Sequence, residues 1–129
     1  MADPAVAELL QLNQRLLESI ARADWATYQE LCDPTLTAFE PEALGQLVHG
    51  MDFHRFYFDL GAARGNPHTT MAAPQVRVMG DVAVVAYVRL MQRVEGDGPV
   101  TRGYEETRVW QKQAGRWKHV HFHRSALRV

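Results

Sequence analysis

Apolar residues recur at three- and four-residue steps in the first part of the chain and at two-residue steps in the last half. Val6, Leu9, Leu10, Leu17 and Ile20 form one stripe, which predicts an amphipathic helix over residues 4–23. Asp3 and Pro4 suit its N-cap and first helical position, and Asn13 falls inside the stripe as a tolerated polar contact. A second, short helix follows Asp24 and carries Trp25, Tyr28 and Leu31. It ends at Cys32-Asp33-Pro34, because the residue before a proline leaves helical space. Residues 35–39 read as a strand, and residues 40–50 as a connection with a short strand or turn near Val48. Residues 51–60 read as a third helix, apolar nearly all round and therefore expected to be enclosed by the domain.

From His68 onward the period is two. Strands are predicted over residues 68–72, 74–79, 82–94, 102–113 and 116–125. Gly80-Asp81, Gly96-Asp97-Gly98 and Ala114-Gly115 punctuate the last three as hairpin turns. Helices first and mostly antiparallel strands afterwards make an α+β domain. Long strands joined by tight turns form a sheet that must twist. Helices laid on its concave side give a cone with a pocket between the layers.

Composition narrows the function. A chain of 129 residues, 47% apolar and 22% charged, suits one globular domain. A formal net charge of -1 argues against nucleic acid as a partner. No apolar run approaches bilayer length, and the N-terminus lacks a basic-then-apolar pattern. The expectation is a cytoplasmic protein without membrane contact. Cys32 is the single cysteine and reads as a small buried hydrophobe.

Alternation then puts charge in apolar company. Arg108 shares a strand face with Tyr104, Glu106 and Trp110. Arg124 shares one with Val120 and Phe122, and Arg89 one with Val85, Tyr87 and Met91. A guanidinium is almost never buried without a partner. The partners are either internal carboxylates (Glu40, Glu105 or Glu106) or an anion held in the pocket. His54 and Tyr57, three apart on the third helix, lie on one face. His119, His121 and His123 fall on the face opposite Arg124, alongside Trp117. That face reads as a contact surface between subunits rather than a metal site, since no helical His pair or Cys partner supports one. No cofactor is expected.

The strings 32–34, 36–45 and 50–58, then Glu105-Glu106-Thr107-Arg108-Val109-Trp110 and Val120-His121-Phe122-His123-Arg124-Ser125, carry a resemblance. They resemble the association (hub) domain of calcium/calmodulin-dependent protein kinase II, from about Glu8 to Ser125. That domain belongs to the nuclear transport factor 2-like (SnoaL-like) superfamily, whose cystatin-like cone agrees with the fold read above. The resemblance implies self-association into a dimer or larger homo-oligomer. It also implies a pocket for a small carboxylate, formed by His54, Arg89, Arg108 and Arg124; helical spacing adds Tyr57 to it and strand alternation Glu106. No kinase nucleotide loop or catalytic-loop motif occurs in these residues, so a free-standing hub is expected and a kinase or calmodulin label would be inherited by name. Animal hubs carry a longer connection after Asp59, with a bulky aromatic near the pocket mouth. Residues 61–66 are shorter and have no aromatic, so that gate is not carried over. The alternative function is a small isomerase, dehydratase or cyclase of the same superfamily. It would use His54 as acid/base with Tyr57 and the arginines polarising an oxyanion. A carboxylate beside several cations is a weaker base, which disfavours Glu106 in that role.

Overall fold

The computed structural model describes residues 3–62 and 67–127. Its elements run α1 (Pro4–Ala21), α2 (Trp25–Leu31), β1 (Cys32–Phe39), a 3-10 turn (Pro41–Ala43), β2 (Val48–His49), α3 (Asp52–Asp59), β3 (His68–Met79), β4 (Val82–Glu95), β5 (Gly98–Gln113) and β6 (Arg116–Ala126). The strands make one six-stranded sheet in the order β2-β1-β6-β5-β4-β3. Only β1 and β6 pair in parallel; every other neighbouring pair is antiparallel.

The helix starts follow from their caps. The Asp3 side chain accepts from the Ala5 amide at 2.9 Å, and Pro4 opens α1. Asp24 accepts from the Thr27 amide and hydroxyl, which fixes α2. Leu9, Leu16 and Leu17 of α1 are fully buried and join Tyr28, Leu31, Ala83, Val85 and Trp110 in one core. Asn13 is buried among them and accepts from Trp110 Nε1 at 3.1 Å, so the polar break in the stripe satisfies an indole inside the core.

The hairpins form where the turn residues stand. Ala114 and Gly115 both take positive φ, at 48° and 81°. A two-residue hairpin turn of the mirror-image kind needs that, and it matches the strand twist.

Four expectations change. β3 is one strand rather than two, because its register slips between Ala72 and Gln75 while pairing continues; Ala73, at φ 49°, absorbs the slip just before Pro74. β5 starts at Gly98, immediately after the Gly96-Asp97 turn, not at Arg102. The third helix is not enclosed. His54 and Phe58 are its buried residues, while Phe56 is 61% and Leu60 71% exposed. A helix on one side of a single sheet has a neighbour on one face only, whatever its composition.

The fourth change concerns β6. The β5–β6 register shifts between Val109 and Trp110: Val109 faces His121, whereas Trp110 faces His119. Val120 is the surplus residue. A bulge of this kind reverses the alternation on either side of it. Trp117 and His119 therefore turn inward with Phe122, and His119 is fully buried. Only His121 and His123 keep to the outer face, where both rings lie against Phe39.

No helix among the described residues is long and apolar enough to cross a membrane. Of the connection expected to lack an aromatic gate, residues 63–66 lie outside the described residues.

Candidate functional site

Three adjacent strands and one helix turn converge on a cavity of about 200 Å³ between the helices and the sheet. β4 contributes Arg89, β5 Arg108, β6 Arg124, and α3 His54 and Tyr57. Tyr28, Phe58 and Phe122 supply aromatic wall, and Glu40 and Glu42 reach it from the connection after β1. Five of the six residues singled out in the sequence therefore line one space. Glu106 does not line it. It sits behind the arginines, in the buried layer of the sheet.

Strand pairing explains that layer. Counting back from the Gly96-Asp97 turn sets Tyr87 opposite Glu106 and Val85 opposite Arg108. On the other side Glu106 pairs with Arg124, and Arg108 with Phe122. Cross-strand and diagonal neighbours are close enough for long side chains to meet. Tyr87 donates its hydroxyl to Glu106 Oε1 at 2.6 Å. Arg108 donates to the same oxygen from Nε at 3.2 Å and Nη2 at 3.1 Å, and to the Tyr87 oxygen at 2.9 Å. Arg89 Nη1 reaches Glu106 Oε2 at 3.4 Å. The Arg108 guanidinium also lies over the Phe122 ring, 4.4 Å from its centroid.

Two guanidiniums share one carboxylate within this layer. Burial disfavours ionisation of Glu106, but Arg108, Arg89 and the Tyr87 hydroxyl outweigh it and hold the carboxyl below its ordinary value. Burial pushes the Tyr87 hydroxyl up to about 12, so it stays a donor. Arg89 is lowered chiefly by burial, with Glu106 opposing.

The rim carries two further pairs. Arg124 Nη2 is bonded to Glu42, and its guanidinium lies 5.2 Å from the Tyr104 ring centroid. His54 Nε2 donates to Glu40 Oε2 at 2.7 Å, with both side chains nearly excluded from solvent. A carboxylate only accepts, so the ring proton sits on Nε2. Nδ1 is buried with no partner among the described residues. The Nε atoms of Arg89 and Arg124 are likewise buried and unpartnered.

Sequence reasoning missed three residues of this arrangement. Tyr87 was legible from hairpin register. Glu42 lies in a connection that no periodicity places. His119, whose Nε2 lies 3.4 Å from Arg108 Nη1, was assigned to the outer face by alternation without the bulge. Cys32 is buried, and burial pushes its thiol up to about 12, so it is no thiolate. Among the described residues, no group of three or more His, Cys, Asp and Glu is placed to hold a metal ion.

Comparison with known proteins bears on this architecture. The family model for the calcium/calmodulin dependent protein kinase II association domain matches residues 5–128. The delta subunit of calcium/calmodulin-dependent protein kinase type II from Oryctolagus cuniculus is 50% identical over 122 residues. That match takes in 92% of this chain but 23% of the relative's length.

Among solved structures, the kinase II hub homology domain of Chlamydamonas reinhardtii superposes with a TM-score of 0.91 at 49% identity. It covers 96% of this chain and 99% of that one. The association domain of the C. elegans kinase gives 0.89 at 48% identity, over 94% of this chain and 95% of that one. An NTF2-like protein from Cytophaga hutchinsonii, at 20% identity and a TM-score of 0.78, shares the fold. The α+β cone is thus of the nuclear transport factor 2-like type, and by sequence along nearly its whole length the chain belongs to the calcium/calmodulin dependent protein kinase II association domain family.

Proposed function

We propose that this chain is a self-associating hub whose arginine-lined cavity receives a small carboxylate. Self-association rests on family membership and on close likeness to proteins described as hub and association domains. The cavity reading rests on one observation: Arg89 and Arg124 both line the space, and each keeps a buried Nε–H with no partner among the described residues. Buried donors of this kind gain most from an anionic acceptor. The three guanidiniums already face two carboxylates: Arg89 and Arg108 share Glu106, and Arg124 is paired with Glu42. Entry of an anion therefore exchanges partners at the rim, where Arg124 is released from Glu42 toward the ligand, while the Glu106 layer stays intact.

Light scattering tests the first part; a monomer at micromolar concentration counts against it. Calorimetry with acetate and succinate tests the second. Binding should weaken in Arg124→Ala, and equal binding in the variant would overturn the site.

A second reading, a small acid/base enzyme, has one observation in its favour. Glu40 orients His54, a cavity-lining residue, and leaves its buried Nδ1 without a partner among the described residues. It requires His54-dependent exchange of solvent deuterium into an enolisable carbonyl compound. No exchange above the buffer rate would remove it.

A further inference from the structure

We propose that His119 is a positioning residue for the cavity: as a neutral imidazole protonated on Nδ1, it accepts from Arg108 Nη1 and fixes that guanidinium in the wall. For its effect on ligand binding the inference rests on the carboxylate reading above; for the hydrogen bond itself it does not.

The assignment follows from who can donate. A guanidinium has donors only, so the His119 Nε2 atom 3.4 Å from Arg108 Nη1 is an acceptor and carries no proton. A neutral ring holds its one proton on the other nitrogen. His119 Nδ1 lies 3.5 Å from Cys32 Sγ, where a weak sulfur acceptor receives it. The ring is fully buried, stacked on Phe122 at 5.6 Å and 18°, with Trp110 at 5.3 Å. Its orientation is therefore set by two aromatic neighbours and at both nitrogens.

Arg108 shows why the contact matters. Its Nε and Nη2 are taken by Tyr87 of β4 and Glu106 of β5. Nη1 is the end that reaches His119 instead of a carboxylate. Remove that acceptor and the guanidinium is held from one edge only. Protonate it and a donor meets a donor, with a second cation beside the first.

The titratable and charged groups around the ring are Cys32 at the start of β1, His54 from α3, Arg108 from β5 and His121 on β6 itself, with Tyr28 of α2 and Lys118 of β6 acting on Cys32. None supplies a carboxylate bonded to the ring among the described residues. Burial first, and Arg108 next, hold the imidazole well below its ordinary range.

The test uses the full chain, uniformly labelled with nitrogen-15. Without ligand at neutral pH, His119 should show a protonated Nδ1 and a bare Nε2, and the Arg108 Nη1 protons should be resolved. The opposite tautomer, or an imidazolium, would overturn the proposal. His119→Gln keeps an acceptor near the Nε2 position and does not titrate; His119→Phe keeps bulk alone. Acetate or succinate should bind His119→Gln within about twofold of the parent, and His119→Phe about tenfold more weakly. Binding to the parent should fall on acidification more steeply than to His119→Gln. Equal binding by the Phe variant would overturn the positioning role. If the parent binds no carboxylate, the cavity reading fails while the tautomer and the Arg108 resonances still decide this one. If the Phe variant does not fold, the same two readings on the parent decide it.

Discussion

Glu106 and Arg108 stand two residues apart on one strand and bond to each other, Nη2 to Oε1 at 3.1 Å, with both side chains all but excluded from solvent. Neither could be buried alone. Glu106→Ala leaves Arg108 and Arg89 without their shared carboxylate, and breaking such a buried pair costs about 3–5 kcal/mol. Urea unfolding at fixed protomer concentration measures it, because assembly also shifts stability. A loss of less than about 1 kcal/mol, the level of a surface pair, would show that the arginines find other partners.

Tyr87→Phe isolates the hydroxyl. It removes the donor to Glu106 and an acceptor for Arg108 in one step, at a cost of about 1–3 kcal/mol. The ring keeps its packing, so the change should appear in the unfolding midpoint with the denaturant slope unaltered.

Asn13→Ala tests the polar contact inside the α1 stripe. It strands the Trp110 indole N–H, whose residue is fully buried. About 1–3 kcal/mol should be lost, with a shift in Trp fluorescence on account of the altered indole environment. Unchanged stability would mean that Trp110 finds another acceptor.

The pH dependence has a fixed sign. His119 has its native pKa depressed below 6.5, so below that value the unfolded chain binds a proton that the native chain refuses. The stability is fully present above about pH 6.5 and falls by up to about 1.4 kcal/mol per pH unit as the pH drops toward the native value. His119→Gln should flatten the stability profile in that window. Glu106 acts at lower pH. Its native pKa is also lowered, so its contribution holds above about 4.5 and is lost as the pH falls through the native value. Equal slopes for parent and His119→Gln below pH 6.5 would refute the assignment to His119.

Much of this was legible because local chemistry and global pairing agree. Asp3 and Asp24 cap where a helix must begin. The turn at Gly96-Asp97 sets the β4–β5 register through to the Val82–Gln111 pair. Alternation put Arg89, Arg108 and Arg124 on faces that the structure brings to one cavity. What failed did so for want of long-range information. The exposure of Phe56 depends on what lies outside α3, which its own periodicity does not report. Glu42 reaches Arg124 across 82 positions, from a connection without a repeat. The inward turn of His119 depends on one surplus residue whose neighbours, Lys118 to His121, read as unbroken alternation.

That surplus residue, Val120, works as a phase shifter in the last hairpin. Were Val120 instead paired with Trp110, with no bulge, Trp117 and His119 would turn to the solvent side while Phe122 and Arg124 stayed where they are. Exposed Arg116 can change identity freely, but the Trp110–His119 pairing must hold for an imidazole to fill the space beneath Arg108.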